Sequence, residues 1–228
     1  DLDLVPRSVL TQAKMVFLSY PHNPTTAVAD LKFFKEVIAW ARTQRIMVVH
    51  DFAYSDFMFD GARAPSILEV DGAKQVAVEF HTLSKSYSLP GLRLGFAVGN
   101  PDVLASLAKT KSYIDFGIFR AVQWAAITAL TGPQDYVQWA VSTYKKRRDA
   151  FVPLLKRIGW DLPMPKGTFY VWAKIPLKFS ALTSLEFATL LVQETGVVAA
   201  PGSGFGEYGE GYIRFALVQP DARLREAV

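Results

Sequence analysis

Apolar positions in this chain fall into two textures, short unbroken runs and stretches spaced at three and four residues. Met15 to Tyr20 (MVFLSY) is a short run halted by Pro21, Asn23 and Pro24, which predicts a buried strand ending in a turn. Asp30 then stands where a helix N-cap belongs, and Leu31, Phe34, Val37, Ile38 and Ala41 recur at helical spacing, predicting a helix from Leu31 to Gln44. Ile46 to Val49 reads as a second buried strand. Gln75 to Leu83 is another apolar run and leads into Lys85, while Leu94 to Val98 is closed by Gly99, Asn100 and Pro101. Short apolar strands alternating with amphipathic helices argue for an α/β sheet with helices outside it.

After Pro101 the spacing becomes mostly helical, with segments near 102–111, 121–130 and 134–157. Beyond Gly159 it changes again, to strands at 168–173, 197–200 and 212–217 around one helix from Ser184 to Thr195. This predicts two bodies: residues 1–145 as part of a larger domain and residues 146–228 as a smaller α+β domain. No internal repeat or low-complexity stretch interrupts either.

Composition narrows the classes. With 228 residues, half of them hydrophobic, the chain can bury a real core. No apolar run approaches the roughly 20 residues of a membrane helix, and the opening DLDLVPRSVL lacks the layout of a signal peptide, so a cytoplasmic location with no membrane partner is expected. The absence of cysteine excludes disulfides and thiolate metal sites, and three scattered histidines give no zinc spacing. The net charge of +4 is dispersed. Its densest run, Lys145 to Arg148, is expected to be a solvated helix face rather than a nucleic-acid contact.

Candidate chemistry lies where strands end, since open α/β sheets bind ligands outside the carboxyl ends of their strands. Those ends supply Asn23, then Asp51 and Tyr54, then Thr82, Ser84 and Lys85. Singly, each has a plain alternative: an Asn-Pro turn, a cap, a surface lysine. Together they are the types that one chemistry needs. A Schiff-base lysine must offer a neutral amine, so it should leave an apolar strand as Lys85 does. A pyridine ring acts as an electron sink only with a carboxylate beside its nitrogen, a role that suits Asp51. A phosphate calls for hydroxyls and an arginine, here Thr82, Ser84 and Arg93, with Pro90-Gly91 available to turn Arg93 back.

These residues carry a resemblance. Tyr20-Pro21-His22-Asn23-Pro24-Thr25 resembles the N-P-T-G motif of class I/II aminotransferases, which depend on pyridoxal 5'-phosphate (PLP). Asp51-x-x-Tyr54 resembles their aspartate–tyrosine pair, and Thr82-Leu83-Ser84-Lys85 with Pro90-Gly91-x-Arg93-x-Gly95 resembles their cofactor-lysine signature. Gly211 to Leu217 (GYIRFAL) is similar to the strand whose arginine holds the substrate α-carboxylate. EFHTLSKSY, GTFYVW and APGSGFGEYGEGYIR are most similar to the LL-diaminopimelate aminotransferase-like group.

The resemblance implies fold type I, with the C-terminal part of a three-layer α/β/α large domain and a small α+β domain. It implies amino transfer between an L-amino acid and a 2-oxoacid by a ping-pong mechanism, and a homodimer with shared active sites. LL-diaminopimelate, aspartate or a related amino acid would be the substrate. Lys85 would carry the cofactor and move the Cα proton, and Asp51 would hold the pyridinium N–H. Tyr54 and Asn23 would bond the phenolic oxygen, Thr82, Ser84 and Arg93 the phosphate, and Arg214, with Asn23, the substrate carboxylate. A PLP-dependent β-lyase would share these residues, and the sensor domain of a transcription regulator would bind PLP without turnover.

Two features depart from the family pattern. Thr26 stands where the family usually has glycine, and the chain begins at the strand leading to Asn23, so truncation at both ends is expected. Asn23–Pro24 is expected to be cis. Trp124 and Trp139 are expected in core or interface packing, and His50 and His81 to point away from the site. Gly202 to Gly211 leads from strand to strand and reads as a mobile loop over the substrate rather than a phosphate loop.

Overall fold

A computed structural model describes residues 2–228. The chain divides into two compact units, one containing the residues up to Pro21 with Val28–Gln138, the other His22–Ala27 with Trp139–Val228. The boundary expected at 145 and the division after Gln138 both lie between 135 and 157, a stretch that is a single helix.

In the first unit a short helical turn, α1 (Arg7–Leu10), precedes strand β1 (Met15–Ser19), helix α2 (Leu31–Gln44) and strand β2 (Met47–Asp51). Strand β3 (Ala77–Thr82), a single helical turn α3 (Leu83–Ser86), strand β4 (Gly95–Gly99) and helices α4 (Pro101–Ile114) and α5 (Arg120–Thr131) follow. The sheet runs β1-β2-β3-β4, parallel except for the β3–β4 pair. Asp30 caps α2 by accepting the Phe33 N–H at 2.8 Å, as its position predicts. The α2 stripe of Phe34, Val37, Ile38 and Ala41 packs with Val48 and Ala77 on one face of the sheet. Strand alternation sends Phe17, Val49, Asp51, Val78 and Phe80 to the other face. That face is open at β1, with Phe17 73% exposed, while Val49 and Val78 are buried.

The α2 side also buries a charge. Glu79 and His50, directly paired in the β2–β3 register, have side chains 2% and 0% exposed, and His50 Nδ1 lies 3.0 Å from a Glu79 oxygen. His81 Nε2 lies 2.9 Å from the second oxygen, and the Ser66 hydroxyl and Ile67 N–H also donate to this carboxylate. Burial pushes the Glu79 carboxyl up, but the hydrogen bonds from His50, His81 and Ser66 outweigh it and hold it at about 2.

The second unit is built on helix α6 (Asp135–Arg157), strand β5 (Tyr170–Lys174), helix α7 (Ser184–Thr195), strands β6 (Ala200–Pro201) and β7 (Tyr212–Ala216) and helix α8 (Asp221–Glu226). Its antiparallel sheet has the order β5-β7-β6. Phe151, Val152 and Leu155 of α6 pack with Val171, Phe187 and Ile213. The strand expected at 197–200 shrinks to Ala200–Pro201, because α7 ends in the left-handed cap Gly196 and Val198 stands 79% exposed.

Two further expectations are corrected. Lys145 to Arg148 does not form one solvated face: four consecutive helical residues sweep about 300° around the axis, so they cannot all face water. Arg148 is 2% exposed and donates to the Pro165 carbonyl at 2.8 Å, and Arg147 donates to that of Leu217 at 3.0 Å. Of the core or interface packing expected for Trp124 and Trp139, the core alternative is the one corrected: they lie outside both cores, 67% and 59% exposed.

The His22–Ala27 turn is closed by the Thr26 N–H on the His22 carbonyl at 2.9 Å and the His22 N–H on that of Ala27 at 2.8 Å. Asn23–Pro24 is cis, as expected, and so is Tyr20–Pro21. Thr26 adopts φ 61°, a left-handed conformation costly for a β-branched residue and free for the glycine usual at this position.

Two outcomes follow. Thr26→Gly should raise stability by about 0.5–1 kcal/mol in urea unfolding, because the relieved left-handed strain exceeds the added chain entropy. Because Glu79 titrates in the fold at about 2, below its ordinary 4.5, its charge stabilises the fold fully above 4.5 and the contribution is lost as pH falls towards 2. Glu79→Gln should therefore cost roughly 2–4 kcal/mol at pH 7. Urea midpoints of the two proteins should converge as pH is lowered from 4.5.

Candidate active site

The larger unit presents its candidates at the carboxyl ends of two adjacent parallel strands. Asp51 is the last residue of β2, and its carboxylate accepts the Ala53 N–H at 3.1 Å, which turns the chain immediately after the strand. The Phe52 N–H bonds the Phe80 carbonyl at 2.9 Å, so the start of this turn is tied to β3. Tyr54 follows, buried at 4% exposure.

Thr82 ends β3 and caps α3: its hydroxyl accepts the Ser84 N–H at 3.1 Å and donates to the Leu94 carbonyl at 3.3 Å. Lys85 sits on that single turn, half-buried, with Nζ 5.7 Å from the centre of the Tyr54 ring. Ser86, the next residue, is 3% exposed and donates to the Asp56 carboxylate at 2.5 Å; Ser55 donates to the same oxygen at 3.2 Å. Asp56 thus fastens the loop bearing Tyr54 to the turn bearing Lys85. Burial raises the neighbouring Tyr87 hydroxyl above its ordinary range, with Asp56 adding to the effect, and this hydroxyl donates to Gln134 at 2.8 Å.

The Pro90-Gly91 turn forms as a 3-10 turn, Pro90–Leu92, and Arg93 follows it in a left-handed conformation, φ 52°. Arg93 is exposed and donates to the Pro90 carbonyl at 2.8 Å. Gly95, paired with Thr82, has a steric reason to be glycine: a Cβ there would lie 2.6 Å from the His81 carbonyl oxygen. Asp51 and Thr82 line one open hollow of about 700 Å³, walled by Phe17, Val78 and Phe80 of the sheet and Val103 and Leu107 of α4.

The smaller unit brings the other two candidates together. Arg214 lies on the central strand β7, opposite Trp172 of β5 and Ala200 of β6. Its Nη1 donates to the Asn23 side-chain oxygen at 2.7 Å, across 191 positions of sequence. The guanidinium lies 4.2 Å from the Tyr170 ring centre and 4.6 Å from that of Phe205. Its Nε is buried with no hydrogen-bond partner among the described residues. Residues 202–211 form two 3-10 turns, Gly202–Phe205 and Glu207–Gly209.

Five further residues received no role from the motifs, although all but Asp56 stand inside the strings quoted above: Asp56, Ser86, Glu79, Tyr170 and Phe205. Ser86 was visible beside Ser84-Lys85, and Asp56 two places after Tyr54. The other three act through neighbours distant in sequence, a relation that no spacing records.

The sequence model of the family described as Aminotransferase class I and II matches residues 3–228. The LL-diaminopimelate aminotransferase of Moorella thermoacetica is 49% identical over all 228 residues, which cover 58% of its length. The glutamate-pyruvate aminotransferase AlaC of Escherichia coli is 47% identical over the same residues, 55% of its length. Among solved structures, apo-BacF of Bacillus subtilis superposes with TM-score 0.96 at 39% identity, covering all of this chain and 60% of that one. A probable N-succinyldiaminopimelate aminotransferase of Thermus thermophilus gives 0.93 at 41% identity, again over all of this chain and 60% of the other. This chain therefore spans less than two thirds of the length of the relatives it matches. A match from residue 3 to the last, with near-half identity and the same fold as solved aminotransferases, places one conclusion beyond the motifs alone: the chain belongs to the class I and II aminotransferase family.

Proposed function

We propose that this chain carries the lysine, ring-nitrogen and carboxylate-binding residues of a PLP-dependent aminotransferase that moves an amino group between an L-amino acid and a 2-oxoacid. The observation that carries the reading is the Lys85 turn bolted through Ser86 and Asp56 to the loop of Asp51 and Tyr54, at the ends of parallel strands. The donor set fits the cofactor: an amine, a carboxylate just past a strand, hydroxyls at the start of a helical turn, and a guanidinium for a carboxylate elsewhere in the chain. Members of the family use PLP; bound here, it would supply an electron sink for the electrons released when Cα loses its proton.

The remaining steps belong to side chains. Lys85 Nζ would hold the cofactor covalently until the substrate amine takes its place, and the lysine amine so released would take the proton from Cα and return it to the cofactor side, as general base and acid in turn. Asp51 would keep a proton on the ring nitrogen by charge. Tyr54 and Asn23 would donate to the phenolic oxygen, and Thr82, Ser84 and Arg93 would hold the phosphate. Arg214 would orient the substrate by its α-carboxylate, with Asn23 steadying the guanidinium, so Asn23 would serve both ligands. The names of the relatives make LL-diaminopimelate the first amino acid to test, with alanine, glutamate and aspartate next. A homodimer with shared sites, the 1–145 and 146–228 division and a cytoplasmic location are part of the same reading. Among the described residues no helix is long and apolar enough to cross a membrane.

Lys85→Arg in the PLP-loaded protein should fold but lose at least about 10³-fold in transamination, measured with paired amino acid and oxoacid, because charge is kept and the nucleophile removed. Borohydride reduction and peptide mapping should find the pyridoxyl mass on Lys85; its appearance on Lys74, Lys109 or Lys111 would refute the assignment. The 228-residue polypeptide itself should bind PLP weakly, with a Kd above roughly 100 µM by equilibrium dialysis, because Asp51 is exposed beside an open hollow and an exposed charge pair contributes little.

A further inference from the structure

Arg214 stands in aromatic surroundings. A guanidinium on a flexible stem offers its donors in any plane unless something fixes that plane, and a carboxylate is held by two parallel bonds only when the plane is fixed. Here the guanidinium lies over two rings, Tyr170 at 4.2 Å and Phe205 at 4.6 Å from its central carbon. Of the edges, Nε is buried without an acceptor among the described residues, and Nη1 is tied to Asn23 at 2.7 Å. The terminal Nη edge is what the two rings leave to a ligand.

The two rings are held very differently. Tyr170 is 7% exposed on strand β5 and belongs to the framework of its unit. Phe205 is 39% exposed and stands on the Gly202–Gly211 loop, touching the edge of Trp172, with ring centres 5.9 Å apart, besides Arg214. That loop is held at its base. A Cβ on Gly202 would lie 1.9 Å from the Gly209 carbonyl oxygen, so both sides of the neck run in backbone contact. Beside this neck Glu210 is anchored as well, its carboxylate accepting the Ser184 N–H at 2.6 Å and the Gly211 N–H at 3.0 Å. These bonds, that from Ser184 first, hold the Glu210 carboxyl below its ordinary range, so the anchor stays charged at neutral pH. A half-exposed ring on a loop whose base is so closely fixed has a use beyond core filling.

We propose that Phe205 is a positioning residue for the substrate carboxylate: with Tyr170 it clamps the Arg214 guanidinium flat, so that the Nη edge meets the carboxylate in one plane. The inference rests on the reading of Arg214 as the carboxylate-binding residue. Phe205 touches no reacting atom and acts through Arg214 alone, so its removal should weaken binding of anything that carries the carboxylate and leave amines without one unaffected.

The test uses the PLP-loaded protein and two probes that differ only in that group. 2-Methylalanine has the amine and the carboxylate but no Cα proton, so it binds without turnover; tert-butylamine has a methyl in place of the carboxylate and likewise no Cα proton. Each is titrated against the visible absorption band of the cofactor in the wild type, Phe205→Leu and Phe205→Tyr. Phe205→Leu should bind 2-methylalanine about 3-fold to 30-fold more weakly, the span of a cation–π contact, with tert-butylamine affinity and the unliganded spectrum unchanged. Phe205→Tyr, which restores a ring, should recover the wild-type value. A wild type that prefers 2-methylalanine while Phe205→Leu keeps the full preference overturns the clamp and leaves the function standing. Equal loss for both probes also overturns it, since the effect would then not pass through the carboxylate. A wild type that does not distinguish the probes ends the Arg214 reading and the clamp with it.

Discussion

An anion withdrawn from water persists only where donors replace its hydration, and Glu79 is such an anion. Its two oxygens take His50, His81, the Ser66 hydroxyl and the Ile67 N–H, drawn from two strands and a 3-10 turn. Sliding β2 against β3 by one residue would turn His50 to the opposite face and leave the carboxylate short of a donor. The register that remains puts Asp51 opposite Phe80, two residues before Thr82. The spacing between the two strand ends of the candidate site therefore depends on a charge buried on the other side of the sheet.

The loops beyond those ends are fixed by short polar bridges. Asp56 receives Ser86 and Ser55, Thr82 caps the turn that carries Lys85, and the Phe52 N–H binds the Phe80 carbonyl. Each bond contributes only about 1 kcal/mol, yet each removes a direction in which the lysine turn could drift from the tyrosine loop. Positioning of this kind is what a covalent cofactor site requires, since small displacements of reacting groups cost large factors in rate.

In the smaller unit the fixed charge is a cation, and rings replace some of the hydrogen bonds. Arg214 has one amide oxygen and two aromatic faces, with Nε left unpartnered. Aromatic faces neutralise little of the charge but dictate the plane of the guanidinium.

The sequence by itself determined the order and type of most elements. Apolar period, the Asp30 cap and the proline and glycine stops depend on neighbours within a few positions, and α2 and α7 fall on the residues that these signals predict. The family was equally legible, because its motifs sit at strand ends where chemistry restricts the residue types. Tertiary structure decided what depends on distant partners. Local spacing cannot tell that Arg148 is buried while Trp124 is exposed, because burial is set by whatever packs against each helix face. Nor can it pair His50 with Glu79 across 29 positions or Arg214 with Asn23 across 191. Those contacts exist only once the chain has brought the strands together, and the Phe205 ring over Arg214 exists only once the Gly202–Gly209 neck has closed.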